Sequence, residues 1–503
     1  MQHHNFNSLK TWQAYPGLLK QLTDLNISYD EIKDTTPAES RLHIKDADIP
    51  ELVIHPENES QVAAILALLE KQKLYEKFSV AVKSGGHSYL GDSSCKNIMI
   101  NLSRLNQYKM ENNGGLLVIE PGVNLGKVVM FLYKNKRVVP HGDCITVCAG
   151  GHWLTAGWDL LLTRIYGLGC QSIKSGRIVL WDGKTIEVTE RNYPDILFAL
   201  RGGAAANIGI VTQLSMQTYP QPEAITFLNT PLTANQVSAF TQPGMLKAIY
   251  QLPKEIAISF KVYFPDKEPS CLLRLFTTLD KTQCLDMLSE RLPSDVVRII
   301  SSFKDWQQGN MLDVRTLPNT EYLKNNTHLL EEFDSVAIHK NEHLIWKQAN
   351  LDNEMSYAFI EQRSVWISLT GDRLIADVVE VLKEVKPEFR KGIYILFTTG
   401  SDELLARQNQ CSMKLGHMLI RCEVHWQEDT PDNRRYGKQV ADRLHEVFVK
   451  HQDKSCLQPY RGDAWLKSQI DLHRKSNTDA CVLKLAEINT KYSSANPQVF
   501  GRA

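Results

Sequence analysis

Lys83-Ser84-Gly85-Gly86-His87-Ser88-Tyr89 decides the reading of this chain, and Cys144-Ile-Thr-Val147-Cys148-Ala-Gly150-Gly151-His152 extends it. Paired glycines let backbone N–H groups close on a pyrophosphate. Each loop also carries a nucleophile, His87 in the first and Cys144 in the second. A large dinucleotide redox cofactor held by covalent bonds suits that combination.

Outward from the first loop, residues 51–54 read as a strand, 60–73 as an Ala/Ile/Leu-rich helix and 78–83 as an alternating strand. This β-α-β unit ends in the glycine loop and is followed by another strand at 98–102. A Gly-x-Gly-x-x-Gly dinucleotide fingerprint opens directly into a helix, so the usual mode of NAD binding is disfavoured. A strand follows at 116–120, then a helix at 124–136 with Leu125, Val128, Val129 and Leu132 on one side. The Cys144 loop is expected to run into a helix from His152 to Leu162. Ile178–Val188 reads as a hairpin turning at Asp182-Gly183, 194–201 as a short helix and 208–216 as a strand. Tyr219-Pro220-Gln221-Pro222 marks a boundary, because two prolines in four residues remove donors and bias the backbone away from helix. Beyond it, strands at 255–264, 393–398 and 417–426 alternate with helices at 373–385 and 434–450, the pattern of an α+β domain on an antiparallel sheet.

These motifs resemble the flavin domain of the berberine-bridge-enzyme-like oxidoreductases, within the vanillyl-alcohol-oxidase (PCMH-type FAD-binding) superfamily. Leu162-Thr-Arg-Ile-Tyr-Gly167, Leu200-Arg-Gly-Gly203 and Asn207-Ile-Gly-Ile-Val-Thr212 fall in the family's order. The resemblance implies an α+β fold: a PCMH-type FAD-binding domain over residues 1–220, a second α+β substrate domain over 221–454, and a segment 455–503 returning to the flavin domain. It implies covalent FAD, with His87 on the flavin 8α-methyl and Cys144 on ring carbon 6. The implied cofactor-binding set is Lys83, Ser84, Gly85, Gly86, His87, Ser88, Tyr89, Gly91, Cys144, Val147, Gly150, Gly151, His152, Gly157 and Ile210. Val147 matches a gatekeeper position where valine accompanies oxygen access, which points to an oxidase with dioxygen as acceptor. The sequence departs from the family at Lys83 for arginine, Cys148 for glycine, Thr155–Asp159 for a glycine-rich run, and Ala204–Ala206 and Ile208 for glycines and phenylalanine.

For the catalytic base, residues 417–426 alternate. Met418, Ile420, Cys422, Val424 and Trp426 share an apolar face, and Leu419, Arg421, Glu423 and His425 share the other. The polar face reads either as a solvated surface or, on the resemblance, as a roof over the flavin with Glu423 as acid-base residue. Tyr89 and Tyr460 compete for that role, each needing a cationic neighbour such as Arg461 to ionise near neutral pH. A rival reading of the second loop takes His141, Cys144, Cys148 and His152 as zinc ligands, at spacings unlike common zinc ribbons. Another takes the chain as a flavin-binding protein without turnover.

At 503 residues the chain exceeds a single core and predicts two or three domains. With 57 basic and 57 acidic residues, no net field draws it to nucleic acid or an anionic membrane, so a small-molecule partner is expected. Ten scattered cysteines read as thiols of a reducing compartment. The start Met1-Gln-His-His-Asn-Phe-Asn lacks a basic n-region and apolar h-region, and no apolar run spans a membrane, so a cytoplasmic protein is expected.

Overall fold

Asn58 accepts a hydrogen bond from the Gln61 N–H at 3.0 Å and so starts the helix Glu59–Lys71, whose Val62, Ile65, Leu66 and Leu69 are buried. That helix connects strands of the first of three main sheets. The structure, a computed structural model, describes residues 16–32, 48–87, 93–142, 147–311, 314, 359–367, 373–426, 428, 430–451, 458–459 and 480–492.

The first sheet holds Ser28–Glu31 (β1), Leu52–His55 (β2), Val80–Lys83 (β3) and Ile98–Asn101 (β4) in the order β1-β2-β4-β3, with β4 parallel to both β2 and β3. The glycine loop leaves the end of the edge strand β3. The second sheet is antiparallel. It is built from Tyr108–Glu111 (β5), Leu116–Ile119 (β6), Ile173–Leu180 (β8), Thr185–Val188 (β9) and Gly209–Gln217 (β10), in the order β5-β6-β10-β8-β9. Between them Arg137–Val138 (β7) pairs with Tyr219–Pro220 (β11). Gly183 makes the β8–β9 turn at φ +86°, and a side chain there would meet Ala67 Cβ at 2.7 Å. The hairpin thus packs directly on the helix Glu59–Lys71. Glu59 adds a polar tie, accepting from Arg177 at 2.6 and 2.9 Å and from Thr212 Oγ1 at 2.6 Å.

The third sheet has nine strands: Ile225–Leu232 (β12), Ile256–Tyr263 (β13), Ser270–Thr277 (β14), Gln307–Gly309 (β15), Phe359–Gln362 (β16), Val365–Ile367 (β17), Ile393–Thr399 (β18), Met418–Trp426 (β19) and Gln458–Pro459 (β20). Their order is β15-β12-β14-β13-β18-β19-β17-β20, with β16 also pairing β19. Alternation sends Ile258 and Phe260, Ile395 and Phe397, and Ile420 and Val424 to one face. There the helices Leu374–Lys383 and Pro431–Lys450 cover them in a single core. Each such aliphatic or aromatic side chain contributes ~1.5–3 kcal/mol on burial. The expected α+β class on an antiparallel sheet is observed.

One expectation needs correction. In place of a helix from His152 to Leu162, the chain forms Ala149–Thr155 and then Leu162–Tyr166. Gly157 turns left-handed at φ +77°, and the Asp159 carboxylate accepts the N–H groups of Leu161 and Leu162 at 2.8 and 2.6 Å, capping the second helix.

Arg164 on that second helix locks the second sheet's surroundings to the third sheet. It is fully buried, donates to the carbonyls of Gly400 and Leu252 (2.7 Å to Leu252) and to Thr399 Oγ1 at 3.2 Å, and its own carbonyl accepts from Ser401 Oγ at 2.8 Å. Burial pushes its guanidinium down to about 10, still a cation at neutral pH.

Ala204, Ala205, Ala206 and Asn207 all have positive φ, between 46° and 56°, a left-handed turn without a glycine. It is propped by the helix Ala480–Tyr492, where Asn489 Nδ2 donates to the Ala206 carbonyl at 2.8 Å, and by Trp181 Nε1, which donates to the Asn207 carbonyl at 2.8 Å. Lys491 and Tyr492 of the same helix bind Asp195 at 2.9 and 3.0 Å.

Candidate active site

Lys83, the last residue of β3, is fully buried, and the loop after it turns at Gly86 with φ +70° and presents a half-buried His87. The second loop packs straight onto the first. A Cβ on Gly85 would lie 2.9 Å from the Cys148 nitrogen and 3.0 Å from its Sγ, and one on Gly150 would lie 2.6 Å from Ser84 Oγ and 2.7 Å from Pro121 Cβ. Both glycines are therefore required by loop-on-loop contact. Gly151, on the same short helix, instead faces open space.

His152 Nε2 accepts the Gly142 N–H at 2.9 Å, which places the ring proton on Nδ1. The Cys148 thiol turns the other way and donates to the Gly122 carbonyl at 3.5 Å. Val147 is half-buried against the second sheet's core, with its carbonyl accepting from Leu125 N at 2.8 Å. Gly157 is spent on a tight approach to Trp153, and Ile210 is packed among Val179 and Trp181 in the first sheet's core. Ser88, Tyr89, Gly91, Cys144 and Tyr460 lie outside the described residues. The left-handed turn at Gly86, the open flank of Gly151 and the half-buried His87 leave room and side chains that fit a flavin dinucleotide.

Across from these loops stands β19. Leu419 and its cross-strand neighbour Trp366 enter the core that contains Trp153 and Trp158, and Trp366 meets Trp158 edge-on at 5.4 Å. Because Leu419, Arg421, Glu423 and His425 share one face, that face turns toward the glycine-loop half of the molecule. Two polar members of that face are closed to solvent while Arg421 is partly exposed. Glu423 is 3% and His425 6% exposed. The Glu423 carboxylate accepts from Arg421 Nη2 at 2.8 Å and sits 3.1 Å from His425 Nε2.

Sequence reading missed the neighbours on this face. Register pairs Tyr263 with Tyr394, Tyr394 with Glu423 and Glu423 with Gln362, and directly opposed residues of antiparallel strands share a face. Lys261 Nζ lies 4.7 Å from the Tyr394 ring centroid and 5.3 Å from that of Tyr263. The same alternation that singled out Glu423, applied to 255–264 and 393–398, separates Lys261, Tyr263 and Tyr394 from the core-facing residues.

Residues 50–189 match the FAD binding domain family. The chain is 33% identical over 210 residues to the FAD-linked oxidoreductase dpmaF of Metarhizium anisopliae, covering 41% of this chain and 39% of that protein. It is 33% identical over 194 residues to the chitooligosaccharide oxidase of Gibberella zeae, covering 38% of each. The fold of BBE-like 1 from Physcomitrella patens superposes with a TM-score of 0.73 at 16% identity, over 96% of this chain and 97% of that one. The match over residues 50–189 gives this chain an FAD-binding domain, and the superposition shows that its fold is that of the berberine-bridge-enzyme-like proteins. The chain spans about two fifths of the length of the curated relatives it matches. The family match is confined to residues 50–189, and over 96% of the chain the likeness is one of fold. Among the described residues no group of three or more His, Cys, Asp or Glu side chains could hold a metal ion, and no helix is long and apolar enough to cross a membrane.

Proposed function

We propose that the chain is an FAD-dependent oxidase. It would remove a hydride from a carbon that bears a hydroxyl or amine, or from an allylic carbon, in a sugar, alcohol or secondary metabolite, with dioxygen as final acceptor. The flavin, when bound, supplies the hydride acceptor. The chain's own residues do the rest. Glu423 takes the proton from the donor's hydroxyl or amine, and Arg421 and His425 fix the carboxylate's direction. His87 is the tether and Cys144 a second one. Tyr89 and Tyr460 remain alternative bases. Val147 supports oxygen access. Residues 1–220 with 455–503 form the flavin domain and 221–454 the substrate domain, in a cytoplasmic protein with a small-molecule partner.

The observation that carries this reading is the burial of Glu423 between a guanidinium and an imidazole, on the face directed at the glycine loops. A carboxylate is expensive to bury, and a packing role is better filled by an apolar residue. The names of the relatives, chitooligosaccharide oxidase among them, favour a hydroxylated donor.

Acid precipitation and anaerobic reduction test the proposal together. The expected result is a yellow pellet with flavin mass on the His87 peptide, and bleaching of the flavin by at least one oligosaccharide, alcohol or phenol. His87→Ala should release flavin to the supernatant. A colourless protein, or a bound flavin that no donor reduces, refutes it.

A further inference from the structure

Cys170 and Cys411 are both fully buried, and they meet across the seam between the second and third sheets. A Cβ built on Gly202 would lie 3.4 Å from Cys411 Sγ and 3.6 Å from Cys170 Sγ, so the two sulfurs converge on one point of the Gly202 backbone. The Cys411 side chain is the hydrogen-bond partner of the Cys170 thiol. Their positions are fixed independently of the sulfurs. Next to Cys411, Ser412 donates to the Arg201 carbonyl through its N–H at 2.8 Å and its Oγ at 3.0 Å. Next to Cys170, Gln171 Nε2 donates to the Arg407 carbonyl at 2.8 Å, and Arg407 Nη1 returns a bond to the Tyr166 carbonyl at 2.7 Å.

We propose that Cys170 and Cys411 are a modification site: a dithiol that hydrogen peroxide converts to a disulfide stapling the glycine-loop half to the third sheet. One thiolate attacks a peroxide oxygen, the O–O bond breaks, and a sulfenic acid and hydroxide form. The second sulfur then displaces the hydroxyl group from the first. The net change is two thiols and one peroxide to one disulfide and two waters. The flanking hydrogen bonds hold both backbones in place while the two sulfurs converge beside Gly202.

Chemistry also sets the pace. Burial first, and then the hydrogen bond and charge of Cys411, hold the Cys170 thiol well above its ordinary range, with Arg201 opposing weakly. Cys170 is therefore slow to ionise and slow to react. The pair closes only on sustained exposure to peroxide. This device stands apart from the hydride chemistry proposed above, because its oxidant can be added from outside.

The purified full chain is incubated with hydrogen peroxide, remaining thiols are blocked, and a non-reducing peptide map is recorded before and after dithiothreitol. The expected result is a dithiothreitol-sensitive peptide joining Cys170 to Cys411, two hydrogens lighter than its parts. A rise in Tm of roughly 5–10 °C should accompany it, because the bridge closes a loop of about 240 residues. Cys170→Ser and Cys411→Ser should each abolish the linked peptide and the rise. The proposal is overturned if both cysteines of the wild-type chain are recovered separately as blocked thiols or as separate oxyacids, or if either is bridged to another cysteine. That reading needs no variant to fold.

Discussion

Arg421 and Glu423 lie two residues apart on β19, so the strand's period of two puts them on one face, and the guanidinium reaches the carboxylate at 2.8 Å. His425, the next residue on that face, closes the other side of the carboxylate at 3.1 Å. Glu423→Gln keeps the shape and removes the proton acceptor. We expect kcat to fall by ~10²–10⁴-fold with the visible flavin spectrum unchanged. A variant that turns over at the wild-type rate would pass the role of base to one of the tyrosines.

Gly150 and Gly151 are chain neighbours with opposite surroundings, which makes a paired test of the cradle. Gly150→Ala drives a methyl to 2.6 Å from Ser84 Oγ and 2.7 Å from Pro121, and overpacking of that kind costs ~1–3 kcal/mol. Gly151→Ala meets nothing within 4 Å, and helix propensity favours it by ~0.5–1 kcal/mol. Denaturation midpoints of flavin-free protein should therefore move in opposite directions. If the open side of Gly151 is where the dinucleotide passes, its alanine variant should also load less FAD, read as absorbance per chain.

Glu59 ties the first sheet's helix to β8 and β10, and it sets an acid limit. Burial raises its carboxyl, but hydrogen bonds from Arg177 and Thr212 and the Arg177 charge outweigh that and leave it below the usual range. A depressed carboxyl stabilises the fold fully above its unfolded pKa of about 4.3, and the contribution is lost as pH falls through the lower folded value. Urea midpoints of the wild type should thus drop below pH ~4.3, and Glu59→Gln should flatten this part of the profile. At neutral pH the variant should be weaker by ~1–2 kcal/mol.

The left-handed turn at Ala204–Asn207 stores strain, since each non-glycine residue there costs ~1–2 kcal/mol. Ala204 is half-buried, so replacing it by glycine gains more from relieved strain than it loses in chain entropy, and we expect stabilisation of about 0.5–1 kcal/mol. Ala205 is 1% exposed, and losing its methyl forfeits ~0.8 kcal/mol. Ala205→Gly should therefore be close to neutral. Thermal melts of the two variants distinguish these outcomes.

Much of this was legible from local pattern. Periodicity and punctuation located the helix after Asn58, the Asp182-Gly183 hairpin and the alternation of β19, because each is decided by residues close in sequence. Where distant residues decide, reading failed. The burial of Glu423 and His425 depends on the half of the molecule that covers their face, so the strand alone could not distinguish a roof from a wet surface. The break after Thr155 hung on an Asp159 side chain capping the next helix, in a stretch whose apolar residues continue a helical pattern. The carbonyl cage of Arg164 unites positions more than eighty residues apart, and no local signal announces it. Replacing glycines by Ala204–Ala206 leaves the backbone left-handed, which composition would have argued against.

The helix that braces the Ala204–Asn207 turn is encoded late: 283 residues separate Asn489 from Ala206. At ~5–20 residues per second, a ribosome needs roughly a quarter of a minute to a minute to bridge that gap. Through that interval the strained corner has only its brace from Trp181, synthesised just before it. The corner is complete only once the last helix of the described chain, Ala480–Tyr492, has been made.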